Sequence, residues 1–433
     1  MLLLAALLAL APRVAAAERC DGCVTAGAAS VALHIPRGAP LAGYGSFARR
    51  LPVPDLFGRH PHAFWFRPSE GELDPLGARA LVVEGAGARL AWVSADLIAV
   101  DRAFTARVAQ RLRESGVPPA TLILSASHTH SGPGAFFDSA LLGAVSVDRR
   151  DEVVREALVE SLVEAIRRAD AHKVAARVGA ASGAAAGLTR GRLGRPIDSE
   201  IVVVKILTAT GAPIAALWNF AIHGTMLGPR NLRLSGDVMG VATRELERHL
   251  GVPTLFVNGA VGDVSPERHG STEAQAAGQE LAVAVRAVWT QAQAGRRGPL
   301  AIRTARVALP APHLSLQNCG GAWIPRWLRV PLGGALPREA ELIGGALGDA
   351  AWVAIPGELQ SSLGQAIKGS VPPRWGHAFV AGVSNDYLGY FLTAADYARV
   401  TYVACASLYG PEAGETLTRA ASELLGALVG EDR

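Results

Sequence analysis

Hydrophobic and polar positions along the chain repeat one pattern three times: an apolar strand, an amphipathic helix, a turn and a second apolar strand. The first copy places a strand at 90–93 and then a helix from about Asp101 with Phe104, Val108 and Leu112 on one face. Gly116 stops that helix, and Val117 and Pro118 lead into a strand at 121–124, so stop and start each have a chemical reason. The second copy has a strand at 214–218, a helix capped by Ser235 or Asp237 with Val238, Ala242, Leu246 and Leu250 in register, a Gly-Val-Pro turn and a strand at 254–257. The third has a strand at 351–354, a helix carrying Leu363 and Ile367, a turn at 369–372 and a strand near 378–380. Each first strand carries a tryptophan, Trp92, Trp218 or Trp352. Such units predict an α/β fold of mixed sheets flanked by helices, with the chemistry at the strand carboxyl ends.

Composition narrows the class. Half of the 433 residues are hydrophobic, 18% are charged and the mean hydropathy is +0.24, which excludes a disordered or acidic activation-type chain. A net charge of +4 with no concentrated basic stripe gives no case for a nucleic-acid partner. The apolar run at 2–10 is too short to cross a bilayer. Followed by Pro12 and small residues at 15–17, it predicts a signal peptide at 1–17, export to the periplasm or medium, and a single domain over 18–433 without a transmembrane segment. Glu18 and Arg19 before Cys20 argue against a lipid anchor. Export permits disulfides; a Cys20–Cys23 bridge is expected, whereas Cys405, in an apolar stretch, reads as a buried thiol.

Polar residues gather where the predicted strands end. Ser-His-Thr-His stands at 127–130, Ala-Ile-His at 221–223, Asn-Gly-Ala-Val-Gly-Asp-Val-Ser-Pro at 258–266, Pro-Gly-Glu at 356–358 and Asn-Asp-Tyr at 385–387. His128 and His130, two apart, point the same way on an extended segment or approach one centre from a loop. With His223 and Glu358 they form a nitrogen and oxygen set suited to zinc. A carboxylate just after an apolar strand is expensive to bury unpaired, which favours a site role for Glu358. Gly262 lets backbone approach a ligand, and Ser265 reads as a positioned hydroxyl on a tight turn, though the GxSxG elbow of serine hydrolases is absent. Local hydrogen bonding of Asp263 and Ser265 in a turn is the simpler alternative, and Arg192 alone reads as a solvated loop charge. Trp323 and Trp327, flanking Arg326 in a Gly- and Pro-punctuated loop with Arg329 beyond, suit either a membrane surface or a lid packed on the core.

These motifs resemble the catalytic domain of the neutral, non-lysosomal ceramidases. The matches are His-Thr-His-Ser-Gly-Pro-Gly at 128–134, Phe-Ala-Ile-His-Gly-Thr at 220–225, Gly-Asp-Val-Ser-Pro at 262–266, Pro-Gly-Glu at 356–358, and a tail from Asn385 through Tyr387, Tyr390 and Tyr402 to Gly410. The resemblance implies one zinc ion held by His128, His223, Glu358 and Tyr390, rather than Tyr387. It further implies His130 as the base, and Ser265, Arg192 and Tyr402 around the amide and its developing oxyanion. It implies hydrolysis of ceramide or a related N-acyl lipid to fatty acid and free amine. The chain ends before the carboxy-terminal β-sandwich of long family members, and the aromatic-rich stretch 46–72 is particular to this sequence. Two alternatives stand beside it: a serine esterase or amidase using Ser265, and a non-catalytic, zinc-stabilised lipid-binding envelope protein.

Overall fold

The computed structural model describes residues 23–295 and 300–428, so the expected signal peptide and Cys20 lie outside the described residues. Eight strands form the larger sheet, in the order Thr121–Ala126, Ala88–Ala95, Gly77–Gly85, Val24–Ala32, Val174–Ala184, Glu200–Thr208, Pro213–Phe220 and Thr254–Asn258. A second sheet runs Leu300–Ala308, Glu339–Leu347, Ala350–Ala354 and His377–Ala381. The three expected strand-helix-strand units supply the parallel pairs, Ala88–Ala95 with Thr121–Ala126, Pro213–Phe220 with Thr254–Asn258, and Ala350–Ala354 with His377–Ala381. The strands between them are antiparallel, so both sheets are mixed.

Apolar residues run almost unbroken along the central strands because both faces are covered. On Gly77–Gly85, Ala80 and Val82 face the helices Arg102–Glu114 and Glu152–Ala171, while Leu81 and Val83 face the other sheet. The result is four layers: helices, sheet, sheet, helices. Ser361–Ser370 and Ala413–Gly426 cover the outer face of the smaller sheet. The three tryptophans are not equivalent. Trp92 and Trp352 meet edge to face between the sheets with centroids 4.8 Å apart, whereas Trp218 turns to the helices and packs on Phe256 at 4.4 Å.

Two expectations are corrected. The helix Asp237–Leu250 has Gly236 at its cap position and no side-chain cap; Ser235 instead accepts a hydrogen bond from the Asp237 amide at 2.9 Å. Asp237 is its first helical residue. Cys405 is not a buried thiol, for it forms a disulfide with Cys319 that joins the short helix Leu316–Gly320 to the short helix Tyr402–Cys405. Cys23 is disulfide-bonded as well. No helix among the described residues is long and apolar enough to cross a membrane.

Candidate metal centre

The carboxyl ends of strands from both sheets converge on one buried point. His128 and His130 follow Thr121–Ala126, His223 follows Pro213–Phe220, and Glu358 follows Ala350–Ala354. The two histidine loops are zipped by backbone: the His130 amide donates to Gly224 O at 2.9 Å, and the Gly224 amide to His128 O at 3.3 Å. A Cβ on Gly224 would sit 2.6 Å from the Thr129 Cα, so only glycine permits this approach. Asn258, ending the next strand, staples the same loops by donating to Ser127 O at 3.1 Å and Ile222 O at 2.8 Å. The close approach made by Gly262 is to the Glu358 backbone, 2.6 Å from where its Cβ would stand, rather than to a ligand. That contact brings the Ser265 turn to the centre.

His128 Nδ1 lies 2.7 Å from Ile98 O, which assigns its proton to that nitrogen and leaves Nε2 to face inward. Around the point it faces, His128 Nε2 and His223 Nε2 are 3.2 Å apart, His128 Nε2 and Glu358 Oε1 3.3 Å, and His223 Nε2 and Glu358 Oε2 3.0 Å. A tetrahedral zinc with bonds of ~2.0–2.1 Å places its ligand atoms ~3.3 Å from one another, so these three residues fit such an ion. Glu358 Oε2, though fully buried, lacks an aligned hydrogen bond even to His223, as a metal-facing oxygen does. Burial pushes the Glu358 carboxyl up, but His128 and His223 more than offset it and hold it well below the usual range. His130 stands beside this set: the three imidazoles have ligand atoms within 4.8 Å of one another, a wider spread than the tetrahedral edge. Burial, reinforced by its two neighbours, holds the His130 imidazole well below its ordinary pKa, and neither ring nitrogen has a partner among the described residues.

Tyr390 is brought in by a two-residue parallel ladder that sets Glu358 directly opposite it. Its phenol is buried and receives a long hydrogen bond of 3.4 Å from Arg192. The Arg192 Nε donates to Ser265 Oγ at 2.7 Å, and the strand Thr189–Gly191 pairs with Val264–Pro266 to fix that geometry. Arg192 is therefore a half-buried site residue rather than a solvated loop charge. Tyr402 stands at the rim, 70% exposed, its ring 6.0 Å from that of Tyr390. All eight predicted site residues thus fall in one region. Trp323 and Trp327 are 83% and 76% exposed, on the loop that follows the helix Leu316–Gly320, which the disulfide ties to the Tyr402 helix. Sequence reasoning set aside Tyr387, whose hydroxyl donates to Glu358 Oε1 at 2.6 Å, and passed over Arg49, which carries no motif.

Comparison with known proteins gives the class. The family described as neutral/alkaline non-lysosomal ceramidase, N-terminal, matches residues 69–301, more than half of the chain, and the chain belongs to that family. Among curated relatives it is 31% identical over 211 residues to the neutral ceramidase of Pseudomonas aeruginosa, covering 44% of this chain. It is 26% identical over 224 residues to neutral ceramidase A of Dictyostelium discoideum, covering 45% of this chain. Each match spans 31% of the relative's length. The crystal structure of neutral ceramidase from Pseudomonas aeruginosa superposes with a TM-score of 0.79 at 21% identity, over 94% of this chain and 75% of that one. A solved ceramidase complexed with C2 gives 0.80 over the same shares at the same identity. These likenesses establish the shared fold.

Proposed function

We propose that the chain is an exported zinc amidohydrolase that cleaves the amide bond of ceramide or a related N-acyl lipid. The observation that carries this reading is the set His128, His223 and Glu358, three buried residues whose ligand atoms lie at tetrahedral spacing, in a chain of the ceramidase family. Tyr390 completes the set. Burial raises its phenol well above the ordinary value, and a divalent cation beside it reverses that preference in favour of the phenolate. A zinc ion held by these residues would supply Lewis-acid chemistry for the amide carbonyl and for activating water near neutral pH.

The remaining steps belong to the protein. His130, with two unpartnered nitrogens, takes the proton of the attacking water and passes it to the leaving nitrogen, so that the amine departs neutral. Tyr402 donates to the developing oxyanion from the rim. Ser265 holds the substrate by hydrogen bonding. Its described partner is a guanidinium, which is permanently protonated and cannot act as the base a serine nucleophile needs. Contact of Trp323 and Trp327 with a lipid surface belongs to the same proposal. The test is release of fatty acid from a panel of N-acyl lipids before chelation, after it and after zinc is restored. Activity that survives complete metal removal supports the serine-hydrolase alternative instead; bound metal with no turnover on any member supports the binding-protein alternative.

A further inference from the structure

His130 is an unusual base in one respect: among the described residues, nothing hydrogen-bonds its ring. His128 is oriented by Ile98 O, but both nitrogens of His130 lack partners, so its direction is set by its backbone and by what packs on the ring. Three residues of one upstream segment do this. Gly43, at φ +100°, lies so close that a Cβ there would be 2.7 Å from His130 Nδ1. The Tyr44 ring leans on the imidazole with centroids 4.8 Å apart. Arg49 then reaches back under Tyr44, its guanidinium carbon 4.7 Å from that ring, and donates from one nitrogen to His130 O at 2.6 Å and Ala42 O at 2.8 Å. Its other terminal nitrogen meets Gly228 O, beyond His223, at 3.4 Å.

This guanidinium is 1% exposed and, among the described residues, has no carboxylate in salt-bridge contact. Burial lowers its pKa to about 10. Burying a charge whose direct hydrogen-bond partners are neutral carbonyls, with the Asp237 carboxyl acting only from beyond contact, is unfavourable for stability, and an apolar side chain of similar size would fill the space at less cost. What an apolar side chain cannot do is bind carbonyls from the segment at 42, the His128–His130 loop and the loop after His223 at once. A planar fork of donors does, and fixes their relative positions.

We propose that Arg49 is a positioning residue for His130. Through the His130 carbonyl it sets the direction of the imidazole, and through Tyr44 it holds the ring face that keeps that direction. The inference rests on the hydrolase reading, with His130 as the base. It is tested by comparing wild type, Arg49→Met, Arg49→Lys, Tyr44→Ala and Tyr44→Phe on a short-chain N-acyl amide, with zinc per chain and melting temperature measured on the same samples. Misplacing a base by about 1 Å costs rate on the order of 10²-fold, so Arg49→Met should lower kcat by ~10- to 10²-fold, with KM within ~2-fold and zinc content at the wild-type level. Arg49→Lys should recover part of the loss, and Tyr44→Phe should recover most of what Tyr44→Ala loses. If Arg49→Met does not fold, the Tyr44 pair and Arg49→Lys carry the test by the same kcat and KM criteria. Unchanged kcat in folded Arg49→Met, in Tyr44→Ala or in both overturns the proposal, as does a loss that falls on KM and zinc content together. A wild type that hydrolyses no amide fails the hydrolase reading first, and removes the role of Arg49 with it.

Discussion

The phenol of Tyr387 donates to Glu358 Oε1 at 2.6 Å while Glu358 Oε2 stays without an aligned hydrogen bond. One oxygen of the carboxylate is thereby fixed by the protein, and the other is left for the centre beside His223. On the proposed reading, Tyr387 supports Glu358 and does not replace Tyr390, which faces Arg192.

Removing that support should loosen the metal without abolishing the site. Outer-shell partners of metal ligands are worth ~10- to 100-fold in affinity, so Tyr387→Phe should raise the zinc dissociation constant by that factor in a competition titration with a chelator. An unchanged constant would show that the Tyr387 hydrogen bond does not support metal binding by Glu358.

Much of this arrangement was legible in the sequence. The three strand-helix-strand units were readable because Phe104, Val108 and Leu112, or Val238, Ala242 and Leu246, sit at helical spacing between Gly and Pro stops that end helices for steric reasons. His128, His223 and Glu358 stood out because each directly follows an apolar strand. The stacking of two sheets was not legible, since a strand buried on both faces reads as a plain apolar run whichever layer covers it. Arg49 and the Cys319–Cys405 bridge were hidden for another reason. Their partners are 81 and 86 positions away, and nothing local marks a residue that acts across that distance.

Ser265→Ala should impair hydrolysis without changing the chemistry of attack. Mass spectrometry of the wild type after rapid quench is expected to show no acyl group on Ser265. A stoichiometric acyl adduct there would instead make Ser265 the nucleophile.

Asp237 gives a pH dependence of stability. Its buried carboxyl is pushed up to about 6 by desolvation, against an ordinary value of 3.8, although it accepts hydrogen bonds from the Val238 and Leu227 amides. Because the folded value is the higher one, the contribution is full below pH ~4 and is lost as pH rises through about 6, a change on the order of 3 kcal/mol. Asp237→Asn also suits the left-handed φ of +52° at this position. In urea unfolding, the variant should gain on wild type by roughly that amount between pH 4 and pH 7. A difference that does not vary with pH would contradict the assignment.

The exposed pair Trp323 and Trp327 separates lipid capture from chemistry. The double change to alanine should weaken binding to vesicles and slow hydrolysis of vesicle-borne lipid, while a soluble short-chain amide is cleaved near the wild-type rate. Equal losses on both substrates would assign the tryptophans to packing beside the disulfide-tied helix Leu316–Gly320.

The most direct measurement is elemental analysis of purified wild type, His128→Ala and Glu358→Ala, paired with fatty-acid release from ceramide. The account predicts one zinc per wild-type chain with turnover, and neither metal nor turnover in the two folded variants. Full zinc occupancy in either variant, or ceramide hydrolysis that persists without metal, would contradict it.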